Sequence, residues 1–198
     1  MKQNRQHICY LINARMKLLF AILVLITTIS FQGITQITHF TREGTISFFS
    51  SAPLEDIKAV NNRVQALLDN SSGEVAVRMR IEDFQFRKSL MQKHFNENYM
   101  ESHNYPEARF DGYIEGFDEF AEDAYPDEVT VRGNMTIRGV TNEVAVTGSF
   151  RRAGPHYICR AVFPVRLEDY DIRIPRMLVR NIAEVVEVTV DLRLAPVN

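Results

Sequence analysis

Gly133-Asn134-Met135-Thr136-Ile137-Arg138-Gly139-Val140-Thr141-Asn142-Glu143-Val144-Ala145-Val146 reads as two strands joined by a tight turn. Met135 and Ile137 share one face of the first arm, with Thr136 and Arg138 on the other. Val144 and Val146 share a face of the second, with Ala145 and Thr147 opposite. Alternation of this kind is the period of a half-buried antiparallel strand. Gly139 and the Thr141-Asn142 pair supply turn chemistry between the arms. A hairpin with one apolar face is not stable alone in water, so the rest of the chain must supply a sheet to cover it.

The same period recurs on both sides. Val129 and Val131 extend the first arm, Gly148 and Phe150 the second. Upstream, Gly44–Ser51 is β-rich, and Val75, Val77, Met79 and Ile81 share one face of Glu74–Ile81. Ala108, Phe110, Gly112 and Ile114 do so in Ala108–Glu115. Downstream, Tyr157–Leu167 is a strand bent or stopped near Pro164, and Tyr170–Val179 is irregular. In the closing strand, Glu184–Leu194, Val186, Val188, Val190, Leu192 and Leu194 alternate with polar residues. Leu54–Leu68 admits a helix or two strands, and Asn61-Asn62 as a corner favours two strands. Asp69-Asn70-Ser71-Ser72-Gly73 is a strong turn cluster. Only Arg87–Met100 changes period: Leu90, Met91, His94, Phe95 and Asn98 fall at helical steps, and neither Gly nor Pro interrupts them.

Eight or nine strands with one short helix argue an all-β meander, a barrel or a sandwich. Closure into an antiparallel eight-stranded barrel is favoured because it pairs the sheet edges. Such a barrel encloses room for side chains or one small ligand.

The chain has 198 residues, of which 45% are hydrophobic, including 13 Phe and 7 Tyr and no Trp. This suits one folded domain with a sizeable core. The formal charge of −2 hides an asymmetry. Residues 1–33 carry Lys2, Arg5, Arg15 and Lys17 and no acid; subtracting these four from the 23 basic residues leaves 19 against 25 acids, or −6. A body this acidic has no nucleic-acid footprint.

Leu18–Ile29 is an apolar run of 12 residues behind Lys17. It fits a signal-peptide core and falls short of the ~20 residues of a spanning helix, although an uncleaved anchor is the alternative. Residues 1–33 are therefore expected to be a signal peptide, cleaved after Ser30 or Gly33, with residues 34–198 as the barrel domain. Met16 is an alternative start. The mature chain would keep one thiol, Cys159, which alternates with Tyr157 and Ala161 as a small core residue.

Catalytic and metal patterns are not evident. His94 and His103 lack a helical metal-site spacing, and there is neither a phosphate loop nor a Gly-x-Ser-x-Gly elbow. The acidic stretch Gly116–Asp127 lacks the regular Ca²⁺-loop spacing and reads as a solvated hairpin loop. Asn70-Ser71-Ser72 and Asn134-Met135-Thr136 match glycosylation acceptors, which matters only in a eukaryotic secretory host.

The stretch Gly133–Val144 resembles the hallmark of the YceI-like family, in which a strand ending Gly-x-Leu-Thr-Ile-His-Gly-Val-Thr runs into Lys-Pro-Val. His94–Ser102 followed by Tyr105-Pro106-Glu107-Ala108-Arg109-Phe110 is similar to that family's short helix, acidic/Ser loop, Tyr-Pro and Phe-bearing strand. The resemblance covers roughly Thr45 to Leu194. Arg138 stands where the family usually has His, Asn142-Glu143 where it has Lys-Pro, and the usual Trp and Asp-x-x-His-Ser start are missing.

The resemblance implies a lipocalin-like barrel, often dimeric, secreted or periplasmic in a bacterium. It further implies a lumen holding a polyisoprenoid or other amphipathic lipid such as a fatty-acyl chain, with no cofactor and no catalytic residue. Lining candidates are Phe48, Val77, Met79, Phe110, Met135, Ile137, Val146, Phe163 and Val188, with Phe84, Phe86, Met91 and Phe95 as a gate at one end. The competing reading is a structural or protein-interaction barrel with a filled core and a binding surface around Gly116–Asp127.

Overall fold

Period-two alternation becomes a closed barrel in the computed structural model, which describes residues 38–51, 56–117, 128–174 and 183–197. The strands are β1 (Thr38–Ser50), β2 (Ile57–Asp69), β3 (Glu74–Arg80), β4 (Gln85–Phe86), β5 (Glu107–Ile114), β6 (Val129–Ile137), β7 (Val140–Ala153), β8 (His156–Arg166) and β9 (Val185–Pro196). One α-helix, α1 (Ser89–His94), continues into a wider helical turn over Phe95–Tyr99. The strands pair antiparallel in the order β1-β9-β8-β7-β6-β5-β3-β2, and β1 also pairs β2, which closes eight strands into a ring. The two-residue β4 leans on β2 through Ala59↔Phe86 and Val60↔Gln85. Among the described residues no helix is long and apolar enough to cross a membrane.

Four sequence expectations change. The hairpin turn is Arg138-Gly139 alone, and Thr141 and Asn142 already pair in β7 with Thr136 and Met135. Both turn residues have positive φ, 50° and 76°, as the two-residue turn that matches strand twist requires. A side chain on Gly139 would also meet the Tyr105 ring at 2.7 Å. Secondly, β1 begins at Thr38, ahead of the expected Gly44. Thirdly, Asn61-Asn62 makes no corner, because Ile57–Asp69 is one strand. The ladder to β1 slips there, from Gly44↔Val64 to Ile46↔Asn61, which is a bulge in place of a turn. Asn61 is 0% exposed; its Nδ2 donates to the Arg80 carbonyl at 2.9 Å and its Oδ1 accepts from Arg63 N at 2.9 Å. The amide thus satisfies the backbone that the bulge leaves unpaired. Fourthly, β8 runs through Pro164 to Arg166. Its pairing with β7 ends at Gly148↔Ala161, so Pro164 lies on a free edge, where a missing N–H costs little.

The turn at 70–73 is as expected: Asp69 Oδ1 accepts from Ser71 N at 2.8 Å, and Gly73 takes φ 74°. The segment 1–33 lies outside the described residues, as do most of the acidic loop (118–127) and most of the irregular stretch after Tyr170 (175–182).

Two apolar clusters pack the barrel, and Met79, Phe95 and Val188 pack against both. One gathers Leu68, Ile114, Phe150, Tyr157, Leu192 and Leu194 near the β7–β8 turn. There Phe150 stacks on Tyr157 with ring centroids 4.9 Å apart, and Tyr157 meets the His39 ring edge-on at 4.6 Å. Burial holds the His39 imidazole below its ordinary pKa, and its Nε2 donates to the Pro155 carbonyl at 3.2 Å. The other cluster gathers Ile81, Met100, Ala108, Val165, Tyr170, Ile172 and Val186 at the opposite end.

Replacing Asn61 by Ala strands the Arg80 carbonyl and the Arg63 N–H at the bulge. The expected loss is about 1–3 kcal/mol in urea unfolding with secondary structure retained in the folded baseline; a loss under about 0.5 kcal/mol would contradict this role.

Candidate functional site

The barrel is hollow. The cavity measures about 490 Å³, within the ~300–1,000 Å³ typical of small-molecule sites. The inward ladder Gly112↔Gly133↔Val144 carries no large side chain, nor does Gly148↔Ala161↔Val190. Gly112 and Gly133 face each other so closely that a Cβ on Gly112 would lie 2.9 Å from the Gly133 Cα and 2.6 Å from the Phe110 ring. Glycine at these positions therefore permits the close approach of β5 and β6.

Every residue named from the sequence as a lining or gate candidate stands on the wall of this cavity: Phe48, Val77, Met79, Phe84, Phe86, Met91, Phe95, Phe110, Met135, Ile137, Val146, Phe163 and Val188. Further wall residues share strands and parity with those named, such as Ile46, Val75, Val131 and Val190, and could have been read from the same alternation. Tyr99, Met100, Leu167 and Ile172 could not, because they enter from turns that carry no period.

The wall is hydrocarbon with few polar side chains. Cys159 lies on it, and burial, aided by Asp191, pushes the thiol up to about 12. It is therefore protonated at neutral pH and a poor nucleophile. Among the described residues no group of three or more His, Cys, Asp or Glu is placed to hold a metal ion.

At the end beside α1 the cavity wall includes the exposed His94, so the lumen meets solvent there and this end is called the mouth. Four rings crowd there: Phe95 stacks on Phe48 at 5.5 Å and meets Phe86 at 5.0 Å and Phe84 at 5.6 Å. Phe84 and Phe86 come from the segment after β3, Phe48 from β1, and Phe95 from the end of α1. Met91 and His94 of α1 complete that part of the wall.

Arg138, the departure noted in the hairpin turn, fastens the other side of this mouth. Its Nη2 pairs with Glu101 Oε1, and its Nη1 donates to the Asp171 carbonyl at 2.8 Å. Its guanidinium lies over the Tyr105 ring, 5.7 Å from the centroid. Glu101 and Asp171 also have positive φ, 46° and 55°. The three are the only non-Gly residues of this kind among the described residues, and they meet at one point. Asn142 Nδ2 donates to the Asp169 carbonyl at 2.6 Å and holds the same turn after β8. One arginine thus ties the β6–β7 turn to the loop after α1 and to the turn after β8. This network was not legible from alternation, since its members lie in three separate turns.

The Arg138 guanidinium beside Glu101, helped by Asn104, holds the Glu101 carboxyl below its ordinary value of 4.5. A depressed folded pKa contributes stability above the unfolded value, and that stability is lost as pH falls through the folded one. Wild type is therefore expected to lose stability on acidification below pH 4.5 more steeply than Glu101→Gln. Parallel pH–stability curves for the two proteins would contradict the pairing.

Comparisons with known proteins agree with this architecture. The model of the YceI-like domain matches residues 25–194. A polyisoprenoid binding domain from Saccharophagus degradans superposes with a TM-score of 0.70 at 13% identity, covering 82% of this chain and 100% of that one. BcnA of Burkholderia cenocepacia gives 0.65 at 16% identity, covering 77% and 96%. The YceI protein of Campylobacter jejuni gives 0.57 at 11%, covering 73% and 87%. No curated protein matches the chain. The closed eight-stranded ring, the single short helix and a match extending over nearly all of the barrel place this chain in the YceI-like family.

Proposed function

We propose that the protein binds an amphipathic lipid in its lumen, without catalysis, outside the bacterial cytoplasm. The observation that carries this is the hydrocarbon-walled cavity of about 490 Å³. Such a space favours a chain of methylenes or isoprene units and offers a polar substrate almost nothing to bond. Removing about 300 Å² of lipid tail from water contributes about 7 kcal/mol. Association and ordering costs of several kcal/mol leave a net affinity suited to a reversible carrier or reservoir. The Saccharophagus degradans neighbour, described as a polyisoprenoid binding domain, supports a polyisoprenoid-like tail. Phe and Met around the mouth adapt to tails of different shape. The basic, then apolar, segment 1–33 is read as the export signal.

Organic extraction of the protein purified from its own host, followed by mass spectrometry, is expected to recover a lipid in near-stoichiometric amount. Val146→Phe pushes a ring into the void and is expected to lower the recovered lipid by about tenfold, with the far-UV spectrum unchanged. A protein that yields no lipid from its own host, or a filled variant that carries as much as wild type, would overturn the reading.

A further inference from the structure

The mouth carries a feature that lipid binding inside the lumen does not use. From Phe84 to Asn96 the chain contains Arg87, Lys88, Lys93 and His94 and no acidic residue, although acids outnumber bases by six over residues 34–198. Residues 87–90 are all exposed, and Leu90 is 62% exposed, the highest value among the described large hydrophobic residues. Helix α1 has no buried residue at all, yet one side of it, through Met91 and His94, lines the cavity. Lys93 has Glu97 as a neighbour only at 4.0 Å. The patch continues onto the barrel. Ala59 pairs with Phe86, and the preceding residue, exposed Lys58, pairs across β1–β2 with Phe49, whose ring is also exposed. A protruding leucine thus sits among cations at the mouth of an apolar lumen, while Phe49 at the edge of the patch lies between Lys58 and the exposed Glu187.

We propose that α1 and its basic flanks form a docking surface for an anionic lipid bilayer, which sets the lumen mouth against the membrane that loads or unloads it. The proposal rests on the lumen taking a lipid. Charge complementarity selects the partner: cations near an anionic leaflet are attracted within about a Debye length, roughly 10 Å at moderate salt. The apolar tip then enters the headgroup region, where Leu90 loses its contact with water. One six-residue helix is too short to anchor the protein, so the contact is reversible, as a carrier needs. Met91, next to Leu90 in the chain, and Phe95 stand on the cavity wall, so a displaced α1 opens the wall beside the bilayer.

The chain has no Trp, so Leu90→Trp places a single indole at the tip of α1. Its emission is read with vesicles of phosphatidylcholine alone and with vesicles containing about 30% phosphatidylglycerol, in low and high salt. A blue shift with the anionic vesicles only, reversed by salt, is expected. Adding Arg87→Glu, Lys88→Glu and Lys93→Glu is expected to reduce vesicle affinity at least tenfold. No shift, an equal shift with neutral vesicles, or a shift untouched by the charge reversals would overturn the proposal. A shift that grows with protein concentration without vesicles would assign the face to a second copy of the chain and also overturn it. Docking by a protein from which no lipid can be extracted would leave this surface standing and overturn the lumen reading alone.

Discussion

Strand β1 is hydrogen-bonded on both edges, to β9 on one side and β2 on the other, and the rest of the architecture depends on that closure. An open sheet of this size would leave two rows of unpaired backbone groups. Closing it removes them and also forces a division of side chains. Each strand then has one face toward a common lumen and one toward solvent, with a period of two residues. Because β1 must reach both neighbours, it bends at the Gly44–Ile46 irregularity, and β2 bends with it at Asn61. The fully buried Asn61 amide is the cost of that bend, offset by its two hydrogen bonds.

Closure alone does not leave a cavity, since the interior of an eight-stranded barrel is small enough for side chains to fill. Residue size along the ladders decides. Phe150, Tyr157, Leu192 and Leu194 fill one end, and the rings of Phe48, Phe84, Phe86 and Phe95 crowd the other. Glycines at 112, 133 and 148 let the neighbouring strands approach closely. The apolar void survives because collapse would require the hydrogen-bonded ring to shrink, which its strand number forbids.

Much of this was legible from alternation alone. Alternation places Val77, Met135, Val146 and Val188 on the inner face, because a closed sheet gives every second residue no other place, and all four stand on the cavity wall. The errors have a common physical origin. Asn61-Asn62, Thr141-Asn142 and Pro164 all carry local turn or breaker preferences, and in each case the ladder overrode them. Asn61 became a bulge, Thr141 and Asn142 were taken into β7 once positive φ at Arg138 and Gly139 completed the turn, and Pro164 found an edge without a β7 partner. Local propensity is a weak prior where many hydrogen bonds form together. The Arg138–Glu101–Asp171 tie escaped the sequence reading for another reason: it joins turns through side-chain geometry, which has no period.

The two ends of the barrel are unlike because they are built from different connections. At the floor, short hairpins such as 70–73 and 154–155 turn the chain tightly, and rings stacked at 4.9 Å seal it. At the mouth, β3 and β5 are joined by the whole segment 81–106, long enough to carry a helix. That segment is held on one side by ring contacts to Phe48 and on the other by Arg138. Between these fastenings α1 has no buried residue. Local opening draws on regions with few buried apolar contacts, so the wall most able to move is the one beside Leu90. The physical asymmetry of the barrel therefore places its least buried helix at the end where the connection is longest.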